Sequence, residues 1–204
     1  MTEQAVYFSP WDPEFCANPY PHYSTLLSGA PPLLHFGSSQ VALLARYDQC
    51  AAALRDHERF SNVEPAPLAD AYKGPVYPER DLLGQDPPEH TRLRSLKGPV
   101  EVGATELAGG MVAFIVLAAA NRDPAQFPNP ERFDITRTPN AHLAFGEGIH
   151  FCIGAPLARL EAAIAIGEMF RRFPRLRMKD PAAVVQYKGS YFLRGLAALP
   201  MALE

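Results

Sequence analysis

The sequence predicts an α+β protein that is mainly α-helical and carries small β-sheets. Apolar residues recur at helical spacing over residues 155–173, which predicts a long amphipathic helix with one side packed into the core. Two apolar runs, residues 33–36 and 40–45, flank a Gly-Ser-Ser turn and predict a β-hairpin. Asp48 then starts a predicted helix that continues to about Asp56.

Length and composition indicate a folded chain with no basic surface. The 204 residues suffice for one or two domains, and the net charge of −3 does not predict nucleic-acid binding. The longest apolar run, residues 111–120, is too short to span a bilayer, and the first residues lack the pattern of a signal peptide. The three widely spaced cysteines indicate a reducing compartment. We therefore expect a cytoplasmic protein that binds neither nucleic acid nor membrane.

A capped helix is predicted over residues 86–94. Asp86 is a good N-cap and Pro87 suits the first helical position. His90 and Arg94 are four residues apart, so a helix would present them on one face, where they could bind a carboxylate or a phosphate. A solvated basic face is the alternative interpretation. Strands are predicted next, over residues 100–107 and 111–117.

A cysteine lies in a glycine-rich segment directly before the long helix. The segment reads Phe145-Gly146-Glu147-Gly148-Ile149-His150-Phe151-Cys152-Ile153-Gly154. Backbone N–H groups at a helix N-terminus favour negative charge, and such surroundings lower the pKa of a thiol. The glycines leave room for a flat, bulky group to approach the backbone. Cys152 is therefore predicted to act as a thiolate, either as a nucleophile or as a metal ligand.

Five chemistries are considered for this segment. A dinucleotide phosphate loop needs a third glycine where Phe151 stands, and a P-loop needs a Gly-Lys-Ser/Thr sequence that is absent. Zinc could use His142, His150 and Cys152, but the paired spacings of structural zinc sites do not occur. A cysteine nucleophile partnered by His150 stays open. Heme iron held by a cysteine thiolate is the remaining chemistry.

The pattern Phe145-Gly146-x-Gly148-x-His150-x-Cys152-x-Gly154 resembles the cysteine-ligand loop of the cytochrome P450 family. The resemblance is to soluble bacterial members and extends to other segments, namely residues 86–94, 120–124, 130–133 and 194–200. It implies a truncated cytochrome P450-like fold with heme, iron protoporphyrin, as the cofactor.

The resemblance also implies roles for individual residues. Cys152 would be the axial ligand of the heme iron. The expected heme-binding residues are His90, Arg94 and His150 at the propionates, Phe145 and Gly146 on the cysteine side, and Gly154 at the start of the following helix. No catalytic residue is assigned.

The chain is shorter than the family it resembles. We expect a single cytochrome P450-like domain over residues 1–204, with an internal junction near residues 96–100. The skipped region would include the helix on the oxygen side of the heme and the helix with the Glu-x-x-Arg pair. The implied function is a heme-thiolate monooxygenase that oxidises a small organic substrate with electrons from a ferredoxin-type donor. Two alternatives stay open: a catalytically impaired heme-binding or interaction domain, and a peroxide-driven oxidase.

Overall fold

The structure is a computed structural model that describes residues 13–36, 39–61, 93–187 and 195–203. The chain divides into two compact units. The first contains the described residues between Tyr23 and Ile153, and the second combines the described residues up to His22 with those from Gly154 onward. None of the described helices has the length and apolar character needed to cross a membrane. A single domain with a junction near residues 96–100 stays a prediction.

The first unit is built on a five-stranded sheet. Its strand order is β1-β2-β7-β4-β3, with β2 and β7 parallel and the other neighbours antiparallel. A separate hairpin joins β5 and β6. These seven strands are β1 Leu33–Phe36, β2 Ser39–Leu44, β3 Phe60–Ser61, β4 Leu93–Leu96, β5 Val100–Val102, β6 Thr105–Leu107 and β7 Val112–Ile115.

Helices flank the sheet in the first unit and dominate the second. The described α-helices are α1 Pro13–Ala17, α2 Tyr20–Leu27, α3 Tyr47–Arg55, α4 Leu117–Ala120 and α5 Ala155–Arg172. The second unit also contains a short pair of strands, β8 Arg177–Met178 and β9 Met201–Ala202. Helices together with small sheets confirm the predicted α+β class. The predicted hairpin, β1 and β2, and the predicted helix, α3, are also confirmed.

Helix α3 packs its apolar side into the core of the first unit. Cys50, Ala51 and Leu54 are buried and share one cluster with Leu44 of β2 and Ile115 of β7. Asp48 lies in the first turn rather than at the N-cap, which is Arg46. An acidic residue in the first turn still stabilises the helix through the dipole. Burial of this face fixes α3 against the sheet.

The prediction that Arg94 belongs to a helix is wrong. Arg94 lies on strand β4, opposite Ala113 of β7, and is only 1% exposed. The helix prediction came from local capping residues. One edge of β7 is already paired with β2, and residues 93–96 complete the backbone hydrogen bonds of the other edge. That pairing outweighs local helix propensity, which is a weak preference. The predicted partner His90 and the rest of the segment before residue 93 lie outside the described residues.

The strand predicted over residues 100–107 is a hairpin of two short strands. β5 and β6 pair antiparallel, with Val102 opposite Thr105. Gly103 occupies the turn with φ of 62°, in the left-handed region that glycine adopts without a steric penalty. The alternation of buried Val100 and Val102 with exposed Glu101 is typical of a half-buried strand. The turn was missed because apolar residues continue on both sides of it.

Helix α5 has the predicted position but not the predicted burial. Ala155 is buried, whereas the side chains expected to pack into the core are 39–58% exposed: Leu157, Leu160, Ile164 and Met169. Ile166 and Phe170 are also more than half exposed. Residues 164 and 166 point about 200° apart around a helix, so α5 is apolar on two opposite sides. Such a helix is typical of a protein interior rather than of a surface.

Gly167 in α5 provides a test of the helix. A Cβ at this position would meet no atom within 4 Å. Gly167→Ala should therefore raise the free energy of unfolding by ~0.5–1 kcal/mol, because alanine loses less backbone entropy in a helix. Circular dichroism during urea unfolding measures the effect. Ala165→Gly, at another exposed position of the same helix, is the matched control and should shift stability the opposite way. A loss of stability with Gly167→Ala would contradict the helix.

Candidate functional site

Residues 143–153 form a closed loop, called here the cysteine loop. The N–H of Cys152 donates to the carbonyl of Phe145 at 2.8 Å, which closes the loop. Gly146 and Gly148 have φ values of 72° and 70°, which residues with a side chain rarely adopt. Residues Gly148–His150 form one turn of 3₁₀ helix. The two glycines therefore allow the tight path that returns Cys152 to Phe145.

Cys152 lies at the border between buried and exposed side chains. Leu143 and His150 are buried, and Leu143 belongs to the hydrophobic core of the first unit. Cys152 is a half-buried free thiol. The apolar residues around it in sequence are exposed: Ile149 by 52%, Phe151 by 44% and Ile153 by 81%. A thiol bordered by exposed apolar side chains suits a flat, largely apolar group such as a porphyrin, which would cover that surface.

The two ends of helix α3 contact the cysteine loop and the residues just before it. The hydroxyl of Tyr47, at the start of α3, donates to the carbonyl of Ala141 at 2.7 Å. Burial raises the pKa of Tyr47, and the negative charge of Glu147 adds a smaller increase. This hydroxyl therefore stays protonated, and remains a donor, at neutral pH. Arg55, at the end of α3, forms an ion pair with Glu147 inside the loop.

The turn after α4 supplies two further supports that the sequence analysis missed. The side-chain oxygen of Asn121 accepts a hydrogen bond from the N–H of Leu143 at 2.7 Å. Asp123 is buried and accepts from the N–H groups of Tyr47 and Ala125, each at 2.9 Å. Asn and Asp side chains in turns often hydrogen-bond nearby backbone, which was the available signal. Their long-range partners could not be read from the sequence.

The structure places four of the predicted site residues in one loop and assigns two others to different elements. The cysteine loop contains Phe145, Gly146, His150 and Cys152. Within it, the ring of Phe145 packs edge to face with that of Phe151, with 6.4 Å between the ring centroids. Gly154 is the N-cap of α5 and belongs to the second unit. Arg94 is buried on β4, and His90 lies outside the described residues. The shared role of His90, Arg94 and His150 at the propionates stays a prediction.

Cys50 differs from Cys152 in its surroundings. Its side chain is fully buried, and its Sγ donates to the carbonyl of Leu44 at 3.2 Å. Burial raises the pKa of the Cys50 thiol, with a smaller contribution from the nearby charge of Asp48. Cys50 is thus a small buried structural residue, which its place on the apolar face of α3 also predicts. Within the described part of the chain, no three His, Cys, Asp or Glu side chains are grouped so as to hold a metal, which does not favour zinc.

Comparison with known proteins identifies the family. The sequence model of the family described as Cytochrome P450 matches residues 85–183. The chain is 38% identical over 168 residues to 6-deoxyerythronolide B hydroxylase of Saccharopolyspora erythraea, covering 82% of this chain and 38% of that protein. Over part of its length, the chain belongs to the cytochrome P450 family. Members of this family bind heme.

Two further relatives agree with this assignment. Cytochrome P450 monooxygenase PikC of Streptomyces venezuelae is 42% identical over 161 residues, which are 78% of this chain and 35% of that protein. The crystal structure of HmtT, involved in himastatin biosynthesis, superposes with a TM-score of 0.52 at 43% identity. That match covers 55% of this chain and 28% of HmtT. The chain therefore has a cytochrome P450-like fold but spans less than two fifths of the length of these curated relatives.

The buried thiol of Cys50 predicts a pH dependence of stability. The pKa of this thiol is higher in the folded chain than in the unfolded chain. Its contribution to the free energy of unfolding is therefore complete below the pKa of the unfolded chain, and it is lost progressively as the pH rises from that value towards the pKa of the folded chain. Above about pH 9, the free energy of unfolding of the heme-free protein should fall with an extra slope of up to ~1.4 kcal/mol per pH unit. Urea unfolding between pH 8 and 10 measures the slope.

Cys50→Ala is the control for this slope. The substitution lowers stability at every pH, because it removes a buried sulfur atom, but it should make the decline above pH 9 shallower. Equal slopes in the two proteins would contradict the assignment of the effect to Cys50.

Proposed function

We propose that the chain is a heme-thiolate protein of the monooxygenase type, with Cys152 as the axial ligand of the heme iron. The observation that carries the proposal is the half-buried thiol of Cys152, a residue whose backbone N–H donates to the carbonyl of Phe145 and whose sequence neighbours are exposed apolar side chains. Bound heme supplies oxygen activation for insertion into an organic substrate, and a thiolate ligand favours this by donating electron density.

The residues of the cysteine loop would bind and orient the cofactor. Phe145 would pack on the cysteine side of the heme, and Gly146 would leave room for the porphyrin beside the backbone. Ile149, Phe151 and Ile153 would be covered by it, which would keep water from the thiolate. We assign the propionates to His90, Arg94 and His150 by resemblance to the family.

The substrate, the electron donor and the cellular location are further parts of this proposal. One matched relative is named as a hydroxylase of 6-deoxyerythronolide B, and the HmtT structure is described as involved in himastatin biosynthesis. Both names support a small organic substrate. We propose a ferredoxin-type donor and a cytoplasmic location. The matched segment is 82% of this chain but only 38% of the relative, and we propose that the difference includes an internal deletion near residues 96–100.

A carbon monoxide difference spectrum tests the proposed ligand. The protein is loaded with hemin, reduced with dithionite and exposed to carbon monoxide. We expect the absorption band of a thiolate-ligated heme, because Cys152 provides the sulfur. Cys152→Ala should abolish this band, since no other residue of the cysteine loop offers a thiolate.

Cys50→Ala is the matched control, because Cys50 is buried and bonded to Leu44. Its band should equal that of the unsubstituted protein. A band that survives Cys152→Ala would contradict the ligand assignment, and the absence of any thiolate band in the unsubstituted protein would contradict the proposed function. Acylation of Cys152 by an ester probe would instead favour the alternative in which Cys152 is a nucleophile partnered by His150.

The exposed apolar sides of α5 favour a second candidate, a heme-binding protein that has lost monooxygenase turnover. Residues on both sides of α5 are exposed, including Leu160 and Phe170. An active oxygenase excludes water from its heme, and the exposed apolar surface of α5 supports the proposal that part of this enclosure is missing.

Turnover with two oxidant systems separates the candidates. Hydrogen peroxide supplies oxygen without an electron donor, whereas molecular oxygen requires NADPH, a reductase and a ferredoxin. A monooxygenase should oxidise a generic organic substrate in both systems. A peroxide-driven oxidase should be active with peroxide alone. A catalytically dead heme protein should show the thiolate band but no turnover above that of free hemin in either system.

A further inference from the structure

An ion pair joins the last residue of α3 to the middle of the cysteine loop. Arg55 donates from Nε to Oε1 of Glu147 at 2.8 Å, and its Nη2 contacts the same oxygen. The Glu147 side chain is 28% exposed, whereas that of Arg55 is 60% exposed. The other oxygen, Oε2, is buried and has no hydrogen-bond partner among the described residues. Arg55 therefore compensates a carboxylate that is mostly withdrawn from water.

Backbone packing reinforces this contact. A Cβ on Gly148 would lie 3.1 Å from both the Cα of Arg55 and the carbonyl oxygen of Leu54. The cysteine loop thus approaches the backbone of α3 as closely as a glycine permits. The ion pair and the close approach involve adjacent loop residues, Glu147 and Gly148, so both fix the loop at the same point.

The position of Glu147 makes this contact effective. Glu147 stands between Gly146 and Gly148, which both have left-handed φ values. Glycines have more freedom to lose than other residues, so the loop on either side of Glu147 has little stiffness of its own. The same stretch begins at Phe145, whose carbonyl accepts the N–H of Cys152. Fixing Glu147 therefore restrains the segment that holds the thiol.

We propose that Arg55 and Glu147 are positioning residues for Cys152. Their ion pair holds the cysteine loop against α3 and keeps the thiol in the orientation that an axial ligand needs. The inference rests on the proposed function for its consequence at heme, but its consequence for the thiol can be measured without heme. Neither residue touches the reacting atoms in this role.

The alternative is an ordinary surface ion pair with no effect on Cys152. Such pairs contribute little, typically ~0–1 kcal/mol, so global stability does not distinguish the two. Local opening of the loop does, because it changes how fast a reagent reaches the thiol. The experiment therefore measures the reactivity of Cys152 itself.

The heme-free protein is treated with iodoacetamide, and labelling of Cys152 is followed by mass spectrometry of its peptide. Arg55→Gln and Glu147→Gln should each increase the labelling rate by about threefold or more, because the loop opens more often. Arg55→Lys keeps the positive charge and should restore most of the protection. High salt should raise the labelling rate of the unsubstituted protein towards that of Arg55→Gln, because salt screens a partly exposed ion pair.

Arg59→Gln is the matched control. Arg59 pairs with Asp56, the residue directly after α3. Its substitution removes a comparable ion pair that involves no residue of the cysteine loop. Its labelling rate should equal that of the unsubstituted protein. Equal rates in Arg55→Gln, Glu147→Gln and Arg59→Gln would overturn the inference.

Hemin-loaded variants give a second readout. Arg55→Gln and Glu147→Gln should convert a larger share of the carbon monoxide spectrum from the thiolate-ligated band to the band of heme without thiolate, and Arg55→Lys should reverse this. If the unsubstituted protein has no thiolate band, the proposed function fails, and the labelling rates still decide the positioning role. If the band is present and unchanged in every variant, with equal labelling rates, only the positioning role fails.

Discussion

Strand β7 is hydrogen-bonded along both edges, and the order of the first unit depends on this constraint. β2 pairs with one edge in parallel and β4 with the other in antiparallel, and all four residues Val112–Ile115 are buried. A buried strand must satisfy its backbone groups, so its neighbours are fixed in register. The N–H of Val116 continues the pairing by donating to Leu44 at 2.8 Å. The chain therefore leaves β7 in a defined direction, into α4 and the turn that carries Asn121 and Asp123.

That turn connects the core to the cysteine loop. Asn121 binds the backbone of Leu143, and Asp123 binds the first residue of α3, Tyr47. Each such hydrogen bond contributes only ~1 kcal/mol, but together they leave the loop few alternative positions. Tyr47, Arg55, Asn121 and Asp123 all belong to the first unit, as does Cys152. The described supports of the thiol thus come from the same compact unit as the thiol itself.

The sequence predicted the local features and missed those that depend on distant partners. The glycine positions, the cysteine and the helix after it follow a specific local pattern, so Phe145, Gly146, His150 and Cys152 were found together. Arg94 was placed in a helix because its capping signals are local, whereas its actual conformation comes from pairing with Ala113. Arg55 and Glu147 lie 92 residues apart, and nothing in the sequence alone connects them.

The sequence by itself determined the family, the α+β class and the candidate thiolate ligand, because a glycine-rich loop around one cysteine is encoded in consecutive residues. Only the tertiary structure decided that Cys152 is half-buried, that Arg94 is a strand residue, and that Arg55 meets Glu147. It also decided that the apolar sides of α5 stay exposed. Burial and pairing depend on which elements meet in space, and helical periodicity records only that a face is apolar, not whether another element covers it.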